Sequence, residues 1–205
     1  MIFLLIMLMA GPLFDARGAQ LVAGVALSWW LLAFFSLWAY PRRLPTSIVM
    51  ISAPIALLPA WFLLAYVHGS NPQGPFLVLS LIAIIWAADV GAYLFGYQFG
   101  RVKLAPTISP GKTWEGVIGG LVFATVVALL AGIALDLSLI AFVSVSLAAT
   151  TVSVVGDLTI SMLKRYVGLK DSGRLLPGHG GVLDRIDSIS AAVPFFFVGI
   201  QMAGI

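Results

Sequence analysis

The densest group of residues that could do chemistry lies near the end of the chain. Asp184 and Asp187 stand three residues apart at the start of an apolar run, so on a helix both carboxylates can face one point. Two converging carboxylates beside phosphate oxygens suit Mg²⁺. The alternative is a re-entrant loop whose acids pair with Arg174 and Arg185, but so many charges beside an apolar run favour a functional role. Just upstream, His179 is surrounded by glycines that let backbone approach a ligand closely: Gly178, Gly180 and Gly181.

A second group lies in the loop that runs from Ser109 to Gly116. Its Gly-Lys-Thr run resembles a phosphate-binding loop, but Pro106 occupies the place of that motif's first glycine, and we expect no strand before it. The hydroxyls, the lysine charge of Lys112 and the backbone N–H groups at a helix start still suit phosphate. A basic interfacial loop with Trp114 at the membrane surface explains the same residues, and both interpretations stay open.

An isolated acid, Asp89, interrupts the apolar run Leu81–Val90. A carboxylate at the centre of a membrane helix costs about 2.5–3.5 kcal/mol on insertion scales and less near the interface. We interpret Asp89 as a ligand or relay that faces a polar cavity. A carboxylate near the helix end that reaches interfacial water is the alternative.

Polar residues share one face of the segment Gly156–Arg165. On a helix Asp157, Ser161, Lys164 and Arg165 stand at i, i+4, i+7 and i+8. An amphipathic interfacial helix would place the two bases among lipid headgroups. That alternative predicts a purely basic face, which the acid at position 157 fits poorly, although an acid there is also favoured by the positive end of a helix.

The elements that must position these residues are membrane helices. Of the 205 residues 61% are hydrophobic and only 9% are charged, and a soluble fold could not hide so much apolar surface. We therefore predict an all-α, polytopic transmembrane bundle with about six spans, a partial one before them and a polar site at one face. Pro54 and Pro59 predict a kink in the second span. The spans are Ala19–Tyr40, Ser47–Val67, Phe76–Phe95, Gly116–Leu135, Leu137–Val155 and Ser188–Ile205.

The charges fix an orientation for these spans. If the spans alternate, ten of the eleven basic residues fall on one side, and only Arg17 falls on the other. The positive-inside rule makes that side cytoplasmic. Most acids lie at the same face, which predicts a pocket that handles an anion and a cation together.

Several other classes are excluded or disfavoured. The chain has no cysteine, which excludes disulfides and thiolate metal sites, and two histidines are too few for a histidine cage. The basic residues form no surface stripe with interleaved aromatics, so we expect no nucleic acid partner. The apolar stretch Met1–Ala10 is too short to span and lacks a preceding base, so it predicts the tail of a shortened segment rather than a signal peptide.

These motifs together resemble the phosphatidate cytidylyltransferases, also called CDP-diacylglycerol synthases. The resemblance is most specific from Ser161 to Asp187, a stretch that includes Lys170-Asp-Ser-Gly173. Ala88-Asp89 with Ala92-Tyr93, the loop Ser109–Gly116 and Gly156–Leu158 resemble the family's other polar blocks in the same order. Family members carry further spans at the N-terminus. We therefore expect residues 1–75 to be a shortened N-terminal helical part and residues 76–205 to be the catalytic transmembrane domain.

The resemblance implies that CTP and phosphatidate give CDP-diacylglycerol and pyrophosphate, at the cytoplasmic side of a bacterial inner membrane. It implies Mg²⁺, a second and monovalent ion such as K⁺, and a homodimer. Metal would be held by Asp157, Asp184 and Asp187, with Asp89 as a further candidate for either ion.

The resemblance also implies roles for the remaining polar residues. The triphosphate would be bound by Ser109, Lys112 and Thr113. At Gly180 and Gly181 the backbone would come close to the nucleotide. The phosphates of CTP or lipid would be bound by Lys164, Arg165, Lys170 and Arg185. Asp171 belongs to the same catalytic signature. His179 either donates to the pyrophosphate leaving group or is a hydrogen-bonded loop histidine.

Two other functions fit parts of the pattern. A CTP-dependent polyprenol or lipid kinase would share the nucleotide pocket and differ in the acceptor. A transporter would use charged midplane residues, but it predicts repeat symmetry and paired discontinuous helices, which the sequence does not show.

Overall fold

The computed structural model describes residues 15–41, 45–169 and 183–205, with backbone alone at position 46 and at positions 183–185. Predictions for Met1–Ala10 and for the glycine-rich stretch around His179 lie outside the described residues. The division of the chain at residue 75 stays a prediction.

Helices dominate the described part of the chain. Five are long and apolar enough to cross a membrane, and the apolar part of a sixth, Ile186–Met202, is shorter. The predicted all-α, multi-pass membrane bundle is thereby confirmed. The helices are α1 (Ala16–Ala39), α2 (Thr46–Ser70), α3 (Gly74–Phe99), α4 (Trp114–Ala134), α5 (Leu139–Tyr166) and α6 (Leu183–Met202).

The connections follow the turn chemistry of the sequence. Asp15 caps α1, because its Oδ1 accepts a hydrogen bond of 2.8 Å from the Gly18 N–H. Helix α2 follows Pro45 and continues through Pro54 and Pro59 as one helix. The kink expected at these prolines stays a prediction.

A short antiparallel hairpin joins α3 to α4. Its strands are β1 (Lys103–Ala105) and β2 (Ser109–Thr113), so the expectation that no strand precedes the Gly-Lys-Thr run was wrong. The Val102 N–H donates to both carboxylate oxygens of Glu115, at 3.1 and 3.3 Å, and the Trp114 N–H donates to the Val102 carbonyl. These contacts tie the base of the hairpin to the first turn of α4, and hydropathy could not reveal them because they are polar and local.

Glycines bring α3 and α4 into close contact. A Cβ at Gly120 would lie 2.8 Å from the Ala88 carbonyl oxygen, and one at Gly91 would lie 2.6 Å from the Gly119 carbonyl oxygen. In a bilayer, where apolar burial drives helix association weakly, such small residues let two backbones pack directly. This close packing of the two helices holds Asp89 on α3 at a fixed distance from the start of α4.

Helix α5 is longer than the sequence predicts. The expected span ended at Val155, whereas the helix continues to Tyr166 and carries the polar segment 156–165 as its last turns. Mean hydropathy falls at Asp157, and for this reason the expected span ended just before it. The helix continues because a polar face does not interrupt helical hydrogen bonding.

Helix α6 packs on this last part of α5. A Cβ at Gly156 would lie 2.6 Å from the Ala191 Cβ and 2.9 Å from the Asp187 carbonyl oxygen. The glycine therefore permits the approach that sets Asp157, its neighbour on α5, beside the first turns of α6.

The hairpin is anchored on α5 by an apolar cluster. Ile108, in the hairpin turn, is only 4% exposed and packs with Leu158 and Met162 of α5. Tyr40 and Tyr166 close the cluster with their rings 5.4 Å apart. Because Leu158 follows Asp157 directly, this contact fixes β2 relative to that carboxylate.

Candidate functional site

A cavity of about 240 Å³ lies where α3, α4, α5, β2 and the beginning of α6 meet. Its walls combine small side chains and glycines with polar groups. The residues with hydroxyl or charged side chains on its walls are Asp89, Tyr93, Lys112, Thr113, Thr150, Ser153, Asp157 and Ser188. The structure thus brings four of the predicted site residues to one place.

An ion pair joins the hairpin to α5 inside this cavity. The Lys112 ammonium contacts Oδ2 of Asp157, and both side chains keep about a quarter to a third of their surface exposed, 26% and 32%. The Ser161 hydroxyl donates to the other carboxylate oxygen, Oδ1, at 3.2 Å. Asp157 is therefore held by two groups and still reaches the cavity, which suits exchange of the lysine for another cation.

Asp187 is a second acid near the same point. It is only 6% exposed, and its Oδ1 accepts a hydrogen bond of 2.8 Å from the Ser188 N–H. The Asp157 carboxylate and the ammonium groups of Lys164 and Lys112 act on it electrostatically. Two acids and two bases are thus grouped around the first turns of α6, as expected for a site that receives both a cation and an anion.

Asp89 lies on the α3 wall of the cavity and is exposed. The sequence predicted a carboxylate that faces a polar cavity, and the structure puts it on such a wall. Its position opposite α5 makes it a candidate to share a ligand with Asp157.

Thr113 and Ser109 differ in their relation to the cavity. Thr113 lines it but is 4% exposed, and its Oγ1 accepts a hydrogen bond of 3.1 Å from the Gly116 N–H as the cap of α4. Ser109 pairs with Ala105 at the opposite end of β2 and is not on the cavity wall. The structure therefore does not place Ser109 with Lys112 in a common phosphate cradle.

The remaining predicted residues divide into three groups. Arg165 is exposed near the end of α5 and is not on the cavity wall. The backbone of Asp184 and Arg185 lies in the first turn of α6, and their side chains are not described. The residues outside the described ranges are Lys170, Asp171, His179, Gly180 and Gly181.

The donor set around Asp157 fits Mg²⁺ with a nucleotide rather than alone. Within residues 15–41, 45–169 and 183–205, no three acids or histidines form a cage. Mg²⁺ commonly takes one or two carboxylates and completes its octahedron with phosphate oxygens and water. Asp157 supplies a carboxylate that is accessible from the cavity, and every polar donor on the wall, apart from Lys112, is an oxygen.

Sequence reasoning did not single out the buried hydroxyls on α5. Thr150 and Ser153 are 1% and 3% exposed, line the cavity and lie two turns and one turn before Asp157 on α5. Positions 150, 153, 154 and 157 recur at helical spacing, so a search for small polar residues in phase with the acid could have found them. Thr150 and Ser153 were not noticed in the sequence because the residues around them are as hydrophobic as those of an ordinary membrane span.

The chain matches the cytidylyltransferase family over residues 1–203. It is 44% identical to the phosphatidate cytidylyltransferase of Haemophilus influenzae in an alignment that covers 91% of this chain and 70% of that protein. Identity to the phosphatidate cytidylyltransferase of Pseudomonas aeruginosa is also 44%, over 88% of this chain and 69% of the relative. The phosphatidate cytidylyltransferase of Brucella suis is 38% identical over 89% of this chain and 66% of its own length. The resemblance seen in the polar motifs is confirmed, and the chain belongs to the cytidylyltransferase family.

Proposed function

We propose that this protein transfers CMP from CTP to phosphatidate, giving CDP-diacylglycerol and pyrophosphate for phospholipid synthesis. The observation that supports it best is the Lys112–Asp157 pair in a cavity that also holds Asp89, within a bundle of membrane helices. A lysine for phosphate and carboxylates for Mg²⁺ are the groups that a metal-bound triphosphate requires. Relatives named phosphatidate cytidylyltransferase align with most of the chain.

The reaction needs little from the protein besides position and charge. A phosphate oxygen of phosphatidate attacks the α-phosphorus of CTP, and the bond from that phosphorus to the bridging β-phosphate oxygen breaks. Pyrophosphate leaves with the electron pair. Because the attacking oxygen is already ionised, no general base is required, and in-line placement with charge neutralisation can supply the catalysis.

The described residues have distinct tasks in this reaction. Lys112 leaves its ion pair with Asp157 and binds the triphosphate, whose negative charge it partly neutralises. Asp157 is then available for Mg²⁺, with Asp187 and Asp89 beside it. When bound, Mg²⁺ neutralises charge on the phosphate oxygens. Ser161 holds the Asp157 carboxylate in place during the exchange.

The depth of the site suits a lipid phosphate. From Leu139 to Asp157 α5 rises roughly 27 Å, at about 1.5 Å per residue. With Leu139 at one edge of a hydrocarbon core about 30 Å thick, Asp157 lies near the other edge, where phosphatidate carries its phosphate. We assign that edge to the cytoplasmic face of a bacterial inner membrane, because ten of the eleven basic residues belong to it. The homodimer and the monovalent ion remain expectations from the family resemblance.

The position of the label in CTP separates the proposed reaction from its rivals. Purified protein in detergent would be given phosphatidate, Mg²⁺ and CTP labelled at either the α- or the γ-phosphate. We expect only the α-label to enter the lipid. Transfer of the γ-label would instead establish a kinase, and the absence of any lipid labelling would contradict the proposed transfer to phosphatidate.

A matched pair of variants tests the site in the same assay. Asp157→Asn should abolish labelling. Asp136→Asn should leave it unchanged, because Asp136 lies between α4 and α5, away from the cavity, and its φ of 53° is tolerated by asparagine.

A further inference from the structure

One aromatic ring stands on the wall of the cavity that holds Lys112 and Asp157. Among the described residues on that wall, Tyr93 is the only aromatic. It stands one helical turn beyond Asp89 on α3, so the ring and the carboxylate share a face. The cavity therefore presents charge for phosphates at one side and a flat π-surface at another.

The packing of α3 on α4 fixes the backbone that carries this ring. The Ala92 carbonyl oxygen lies 2.9 Å from the place of a Cβ on Gly116, and a Cβ on Gly96 would lie 3.2 Å from Thr113 Oγ1. Tyr93 lies between these two contacts along the chain. Its backbone is thus held directly beside the segment that carries Lys112.

A second ring supports the first. Tyr97, one turn further along α3, stacks on Tyr93 with a centroid distance of 6.2 Å and an angle of 18° between the planes. Tyr93 nevertheless keeps 70% of its surface exposed. A supported ring with a large free surface can accept another flat group, as aromatic side chains do with nucleobases.

We propose that Tyr93 is the stacking platform for the cytosine base of the nucleotide. The inference rests on the proposed function, which brings a nucleoside triphosphate to Lys112. A tyrosine that serves only as a membrane-interface residue would explain its exposure. It would not require the ring to line the same cavity as the phosphate-binding lysine.

The test compares nucleotide binding with binding of the phosphates alone. Labelled CTP and inorganic tripolyphosphate would each be measured by equilibrium dialysis against the full chain in detergent with Mg²⁺. For Tyr93→Ala we expect CTP affinity to fall by roughly tenfold or more, since base–aromatic stacking contributes on that order. Tripolyphosphate affinity should stay the same, and Tyr93→Phe should bind CTP like the unaltered chain.

Trp86→Ala is the matched control. Trp86 lies two turns earlier on the same side of α3, is 61% exposed and is not on the cavity wall. Its removal should leave both affinities unchanged, and circular dichroism melting would show whether each variant is folded.

The possible outcomes separate the two proposals. If Tyr93→Ala binds CTP as tightly as the unaltered chain, the stacking role is wrong while the proposed function stands. Equal losses of CTP and tripolyphosphate would also overturn it, because a general disturbance of the cavity would then explain the effect. If the unaltered chain binds no CTP, both proposals fail.

Discussion

The ammonium of Lys112 and the carboxylate of Asp157 meet across the junction between the hairpin and α5. The two residues are far apart in the sequence, and beside them Ile108 packs against Leu158 and holds the hairpin on α5. Each partner is partly exposed, so the pair adds little to stability and can separate when ligands arrive. This relationship connects the fold to the proposed chemistry.

Removing either charge should affect turnover much more than folding. For Lys112→Met and Asp157→Asn we expect at least a hundredfold loss of CTP turnover, because transition-state charge loses a direct partner. The melting midpoint should change little, since a partly exposed ion pair contributes about 0–1 kcal/mol. Turnover and thermal melting in the same detergent would measure both effects. Recovery of activity in the charge-swapped double variant Lys112→Asp/Asp157→Lys would show that the pair is merely structural.

The contact of Gly156 with α6 should be intolerant of a methyl group. In Gly156→Ala the new Cβ would lie 2.6 Å from Ala191 Cβ and 2.9 Å from a backbone oxygen, so the helices must separate. Such overpacking costs about 1–3 kcal/mol. We also expect reduced turnover, because Asp157 and Asp187 move apart.

Gly24→Ala provides the comparison for this variant. It makes the same change within α1, where a Cβ would have nothing within 4 Å. Thermal melting and CTP turnover of the two variants should therefore differ clearly. If they were alike, close approach at position 156 would have no special importance.

The hairpin anchor should control nucleotide affinity. Ile108→Ala removes the side chain that docks the hairpin turn on α5, a type of change that costs about 2–5 kcal/mol in a packed core. Because the hairpin is a small peripheral element, we expect the loss to loosen β2 rather than unfold the bundle. The KM for CTP should rise with a smaller change in kcat. Thr107→Ala, at the exposed neighbouring position, should leave both constants unchanged; an equal effect of the two variants would argue against the anchor.

The sequence predicted the helical membrane bundle because long apolar runs have few alternatives in a bilayer. It also identified Asp89, because a charge within an apolar run is costly, Lys112 from the Gly-Lys-Thr run and Asp157 from the polar face of its segment. The hairpin was not predicted because the contacts at its base are polar and local, and the full length of α5 was not predicted because hydropathy falls at Asp157 although the helix continues. Ser109 was expected beside Lys112 from its position in the motif, but strand geometry carries it to the opposite end of β2. Tyr93 was noted only as part of a motif, since an exposed tyrosine is ordinary at a membrane surface.

The buried acid Asp187 should determine how much magnesium the protein needs. Its carboxylate is close enough to Asp157 for the two charges to interact, and it is held by the Ser188 N–H. In Asp187→Asn the site loses one negative charge, so we expect a higher Mg²⁺ concentration for half-maximal turnover. CTP turnover measured over a range of Mg²⁺ concentrations would test this, with Asp136→Asn as the variant that loses a distant acid. An unchanged requirement in Asp187→Asn, with full activity, would remove Asp187 from the metal site and leave it a structural role at the start of α6.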